Sequence, residues 1–155
     1  MKIKIFAFLF AFTMLFALAS CGEKKEITID IEALAAEISE IYKDGEIELT
    51  NIGEETVDIN YGIKGLYSYV HCEGSITLTS DEILVIEATD EANAEKAYEI
   101  IEEYRLERIK LYSSYAMDQV PKLEDALLER AGKYIIFVVS EDTSEAEKIW
   151  NEYKG

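Results

Sequence analysis

Glu82-Ile83-Leu84-Val85-Ile86-Glu87-Ala88 and, further along, Tyr134-Ile135-Ile136-Phe137-Val138-Val139-Ser140 are the two runs in which apolar residues follow one another instead of alternating with polar ones. Runs this short and this rich in branched side chains read as central strands, apolar on both faces. Upstream of the first, residues 67–73 alternate, with Tyr67, Tyr69 and His71 on one expected face and Val70 and Cys72 on the other. Gly74, Ser75, Thr77, Thr79 and Ser80 make a polar link between them, so the two strands are expected to pair antiparallel. Upstream of the second, residues 126–130 read as a strand and Ala131-Gly132 as a tight turn, in which glycine takes the positive φ that a hairpin demands.

Helices frame these pairs. Ile31, Leu34, Ala35, Ile38, Ile41 and Tyr42 recur at the spacing of one helical face, after Asp30 as an N-cap and before Gly45 as a stop. Asp90 opens the longest helix, which runs to about Tyr112 with Ala94, Ala97, Tyr98, Ile101, Tyr104 and Ile109 along its inner stripe. Glu102 and Arg105 stand three apart, as solvent-facing helix pairs do. Pro121 closes the connection that follows. Asp142 and Glu145 have capping-box spacing before a last helix whose Ala146, Ile149, Trp150 and Tyr153 share a face. Residues 46–65 read as irregular with one short strand, because Gly53, Asn60, Gly62 and Gly65 interrupt every pattern. The expected fold is α+β, a four-stranded mainly antiparallel sheet packed by three helices in the order α-β-β-α-β-β-α.

Residues 1–20 carry no acid, begin with Lys2 and Lys4, and run apolar from Ile5 to Ala19. That is the layout of a secretory signal peptide, and about 15 apolar residues are short of the ~20 needed to span a bilayer. Leu18-Ala19-Ser20-Cys21 resembles the bacterial lipobox, in which the cysteine is acylated and becomes the first residue of the mature chain. The expected organisation is a lipoprotein signal peptide at 1–20, the lipidated Cys21 and a tether over 21–29, and one extracytoplasmic domain over 30–155. The acyl chains would hold it on the outer face of the cytoplasmic membrane, at ~0.8 kcal/mol per buried CH₂. With Cys21 acylated, Cys72 is left without a disulfide partner.

The chain has 32 acidic and 15 basic side chains, a net charge of −17, and this argues against nucleic acid as a partner, because phosphate binding needs clustered Lys and Arg. Its 49% apolar content lies far from the disordered range, so the mature chain can build a core without staples.

An ordered set of short motifs carries a family resemblance: Asp81-Glu82-Ile83, Arg105-Leu106-Glu107, Tyr115-Ala116, and Gly132-Lys133-Tyr134 leading into Ile135-Ile136-Phe137-Val138-Val139. Over roughly residues 31–153 the chain resembles small bacterial lipoproteins bearing a domain of unknown function (DUF 4358), found largely in Gram-positive bacteria. The family pattern usually has proline after Tyr-Ala, where this chain has Met117. The resemblance implies a fold and a location; it carries over no catalytic or binding residue.

No catalytic set, cofactor or metal site is expected. His71 is the lone histidine, and strand neighbours point to opposite faces, so it cannot readily activate Cys72, which reads as a small buried hydrophobe. A serine triad would need His71 as its base, and no serine has nucleophile-elbow flanks. Glu54-Glu55, Asp81-Glu82 and Glu141-Asp142 offer oxygens for calcium, but no calcium loop is present and a solvated acidic face is expected instead. Ten tyrosines are the most suggestive feature. Tyr67, Tyr69 and His71 are the candidate interaction patch, with three helices expected to leave part of the sheet uncovered. The leading expectation is a non-enzymatic, membrane-anchored domain that binds an envelope protein; the alternative is a lipoprotein that captures a small ligand, a glycan or calcium.

Overall fold

The computed structural model describes residues 27–155; the expected signal peptide, Cys21 and the first part of the tether lie outside the described residues. Among the described residues no helix is long and apolar enough to cross a membrane. The chain folds as α1 (Ile31–Tyr42), β1 (Leu49–Asn51), α2 (Glu54–Tyr61), β2 (Tyr67–Ser75), β3 (Glu82–Ala88) and α3 (Glu91–Tyr112). A 3-10 turn (Met117–Gln119), α4 (Val120–Glu124), β4 (Leu127–Ala131), β5 (Tyr134–Val139) and α5 (Ser144–Lys154) complete it. The α+β class and the antiparallel sheet are as expected, but the sheet has five strands, in the order β1-β2-β3-β5-β4, and the described residues form five α-helices, not three.

The two apolar runs sit where their composition demands. β3 and β5 pair in the middle of the sheet, from Glu82 opposite Val139 to Glu87 opposite Tyr134. Ile83, Val85, Ile136 and Val138 pack against α1 and α5 through Leu34, Ile38, Ile149 and Trp150. Leu84, Ile86, Ile135 and Phe137 face the other way, onto Val57 of α2, Ala97 and Ile101 of α3 and Leu123 of α4. Among the described residues, helices therefore pack against both faces of the central strands β3 and β5.

The two unexpected helices explain the extra cover. α2 shows a single buried pair, Val57 and Tyr61, four apart; eight residues are too few for the 3.6 period to stand out, and the sequence Val57 to Ile59 mimics strand alternation although Ile59 points to solvent. Gly62 ends the helix at φ 75°, a conformation that costs other residues but not glycine. Pro121 lies in the first turn of α4, where its missing N–H has no intrahelical partner to lose, so it starts a helix instead of closing a loop.

Local signals otherwise place the ends well. Asp30 accepts from the Ala33 amide (3.1 Å) and Asp90 from the Asn93 amide (2.7 Å). Gly132, at φ 57°, begins the two-residue β4–β5 turn. At α5 the N-cap is Thr143, and Asp142 instead accepts from the Ser144 amide at 2.9 Å, two residues ahead. The expected tether also ends early, since Ile29 is buried in the core and Ile27 packs against it beside Gly132. The chain therefore enters at the pole of the sheet that holds the β4–β5 turn. The opposite pole, about 20 Å away along β3 at ~3.3 Å per residue, holds the start of β3, the end of β5 and the C-terminal end of α1.

Candidate functional site

The expected patch of Tyr67, Tyr69 and His71 is not one surface. A register shift between Tyr67 and Tyr69 inserts an extra residue into β2 and turns the two rings to opposite faces. Tyr67 packs toward α2, where its hydroxyl donates to Asp58 (2.8 Å) and Glu54 (3.2 Å), while Tyr69 packs toward α1. Neither ring is fully buried. Elsewhere on the chain Tyr112 and Tyr134 are buried and Tyr115 is exposed.

His71 shares the Tyr69 side. Its Nε2 lies 3.0 Å from both Ser39 Oγ and Glu73 Oε1. The Ser39 hydroxyl donates to its own helix, to the Ala35 carbonyl at 2.9 Å, so the serine oxygen and the Glu73 carboxylate share the single Nε2–H. A triad needs serine and carboxylate on different ring nitrogens with the serine proton aimed at the ring. This arrangement has neither, and it serves to tie α1 to β2. Cys72, on the other face, is buried at 1% exposure, and burial pushes its thiol well above the ordinary range.

The acidic pair Asp81-Glu82 departs most from expectation. Instead of facing solvent, Ser80, Asp81 and Glu82 are buried, because polar residues distant in sequence meet them. Glu82 points to the α3 side, where Tyr61, Tyr104 and Arg108 all donate to its carboxylate. Arg108 also reaches the Tyr104 and Tyr112 hydroxyls, each at 3.1 Å, and stacks over both rings. Tyr112 in turn donates to the Thr79 carbonyl at 2.9 Å. Burial raises the Glu82 pKa, opposed chiefly by Arg108. Burial likewise holds the Tyr61 phenol high, reinforced by the negative charge of Glu82. Glu82, Arg108 and the three phenols of Tyr61, Tyr104 and Tyr112 are thus locked together in one hydrogen-bonded network.

Asp81, one residue before β3, has a different partner. It meets Lys122 of α4, whose Nζ lies 3.0 and 3.2 Å from the two carboxylate oxygens. Both side chains are less than a tenth exposed, and among the described residues each is the other's sole side-chain partner. This pair forms the floor of a cavity of about 430 Å³ at the pole remote from residue 27. Ile47, Leu49, Ile83 and Val138 wall it, and the exposed Glu46 and Glu141 stand at its mouth. Tyr42 closes one side, its hydroxyl donating to the Asp142 carbonyl at 3.1 Å. Burial, and to a lesser extent the charges of Asp142 and Asp81, push the Tyr42 phenol up to about 12. Such a concave site with apolar walls and convergent polar groups is the form that small-molecule sites take.

Asp81 and Glu141 were visible in sequence as acidic pairs, but Lys122 and the 45–49 segment carried no signal. Lys122 reaches Asp81 across 41 positions, and nothing local marks it as different from other lysines. Among the described residues no group of three or more His, Cys, Asp or Glu side chains is placed to hold a metal ion.

No curated protein and no solved structure matches this chain. A family model does match residues 42–140, well over half of the chain, a narrower stretch than the motifs implied, since it omits α5 and all but the last residue of α1. It includes all five strands, Asp81, Glu82, Arg108 and Lys122, and on that match the chain belongs to the family described as the domain of unknown function DUF4358.

Proposed function

We propose that this protein is a lipid-anchored extracytoplasmic binding domain that takes a small ligand into the Asp81–Lys122 cavity. The carrying observation is the buried ion pair at the floor of an apolar-walled, open cavity, with hydrogen-bonding capacity left over on both partners. Structural ion pairs that merely fill a core are surrounded by further donors and acceptors, as Glu82 is; this one faces a space. Anchoring at Cys21 would direct the cavity outward, because the chain enters at the opposite pole.

Two experiments test the reading. Labelled palmitate should enter the wild-type chain and not Cys21→Ser, and a wild-type chain that stays unlabelled overturns the anchor. A library of a few hundred small polar-apolar compounds should contain members that shift the methyl resonances of Ile47, Leu49, Ile83 and Val138. If none does, the ligand site falls.

A second reading, an accessory domain for an envelope protein, is favoured by one observation. Ile76, Leu78 and Met117 are each more than 70% exposed, near the same pole. They lie on segments tied together by Ser80 and Gln119, whose side chain accepts from the Ser80 amide at 3.1 Å. In-cell crosslinking with Ile76→Asp/Leu78→Asp as control separates the readings: one dominant envelope protein, lost in the variant, favours the partner.

A further inference from the structure

The cavity lining indicates the class of ligand. Its ionisable side chains include three carboxylates, Asp81, Glu46 and Glu141, against one ammonium, Lys122. Lys122 is balanced by Asp81, so the two glutamates at the mouth are the surplus charge. A carboxylate offers about four acceptor positions and an ammonium three donors, and each member of the floor pair spends two contacts on the other. Asp81 therefore has room for another donor, and Lys122 holds one proton for a ligand oxygen. An anion would meet Glu46 and Glu141 on entry, on a protein whose whole net charge is −17. A small inorganic cation would gain nothing from Ile47, Leu49, Ile83 and Val138, which reward an apolar body. The volume, about 430 Å³, lies toward the lower end of ligand sites and limits that body to about one ring or a short chain.

Resting on the small-ligand reading above, we propose that the cavity selects an organic cation, a primary ammonium on a compact apolar body, with its N–H groups on Asp81 and its charge matched by Glu46 and Glu141. The same chemistry can come from a free amine or from the lysine side chain of another protein.

The test uses the full chain in neutral lipid nanodiscs, with labelled Ile, Leu and Val methyl groups, titrated with phenethylamine, 2-phenylethanol and 3-phenylpropanoate. Phenethylamine is expected to give saturable shifts at Ile47, Leu49, Ile83 and Val138, with affinity at least tenfold above either isostere. Glu46→Gln/Glu141→Gln, changed at two exposed positions, should weaken that binding several-fold at low salt and remove most of the preference. If the alcohol binds as tightly as the amine, cation selection is overturned while the ligand reading stands. If library compounds occupy the cavity and the amine does not, the proposed class is wrong. If nothing moves these methyls, the class and the reading beneath it fall together. A parallel titration with N-acetyl-lysine methylamide separates the sources: tighter binding than phenethylamine supports a partner's lysine, and weaker binding supports a free amine.

Discussion

Asp81 and Glu82 are neighbours in the chain, both acidic and both buried, yet they serve different ends. Glu82 lies under α3 with its oxygens taken up by Tyr61, Tyr104 and Arg108, and the charge of Arg108 is further spread over two aromatic rings. Asp81 lies at the edge of the α1 side with one partner, Lys122, and an open space beside it. The difference is one of completeness. A buried charge whose hydrogen bonds are all made is a structural brace, and a pair with capacity left over is a place where something else can bind. A single step of chain at the start of β3 separates the two settings.

Removing one partner from each charge tests the contrast most directly. Arg108→Met should destabilise the protein by ~3–5 kcal/mol in urea unfolding, because it strands Glu82 in a closed interior. A loss below ~1 kcal/mol would mean that Glu82 is not braced by Arg108 and the contrast fails. Lys122→Met should cost less, about 2 kcal/mol, because water can enter the cavity and solvate Asp81. Equal costs for the two substitutions would show that the Asp81 side is as closed as the other. Asp90→Ala, at the start of α3 and far from either pair, gives the gauge of an ordinary local loss; removing its cap to the Asn93 amide should cost about 1 kcal/mol in the same unfolding assay.

The smallest effect is a slope with pH. Burial raises the Glu82 pKa in the folded protein, so the folded state holds that proton more tightly than the unfolded chain does. Its contribution to stability is present below the ordinary carboxylate range and is lost as pH rises through the higher folded value. Glu129 is the opposite case: hydrogen bonds from Lys154 lower its pKa, so its contribution is present above the ordinary range and is lost as pH falls. Urea unfolding of wild type, Glu82→Gln and Glu129→Gln through mild acid should show the first difference growing on acidification and the second shrinking. Slopes of the same sign would contradict the burial of Glu82.

Much of this fold was legible because it rests on short-range regularities. The continuous apolar runs of β3 and β5, the inner stripe of α3, the caps at Asp30 and Asp90, and the positive φ of Gly132 are each determined by a few neighbouring residues. α2 and α4 were not legible, since eight and five residues show too little of the helical period, and their stability comes from Val57, Tyr61 and Leu123 entering a core built elsewhere. The facing of Tyr67 was hidden for another reason: a single extra residue in β2 inverts every orientation beyond it, and no composition marks a bulge.

The candidate site lies at the far end of this scale. The sequence by itself determined that Glu82 opens a central strand with Asp81 just before it. Whether such carboxylates sit in water or in the interior was decided by Lys122 and Arg108, 41 and 26 positions away, and by the end of α1 and the 45–49 segment that shape the cavity. Burial of a charge depends on whether a partner arrives to offset its lost hydration, and that is a property of the tertiary structure and not of any stretch of chain.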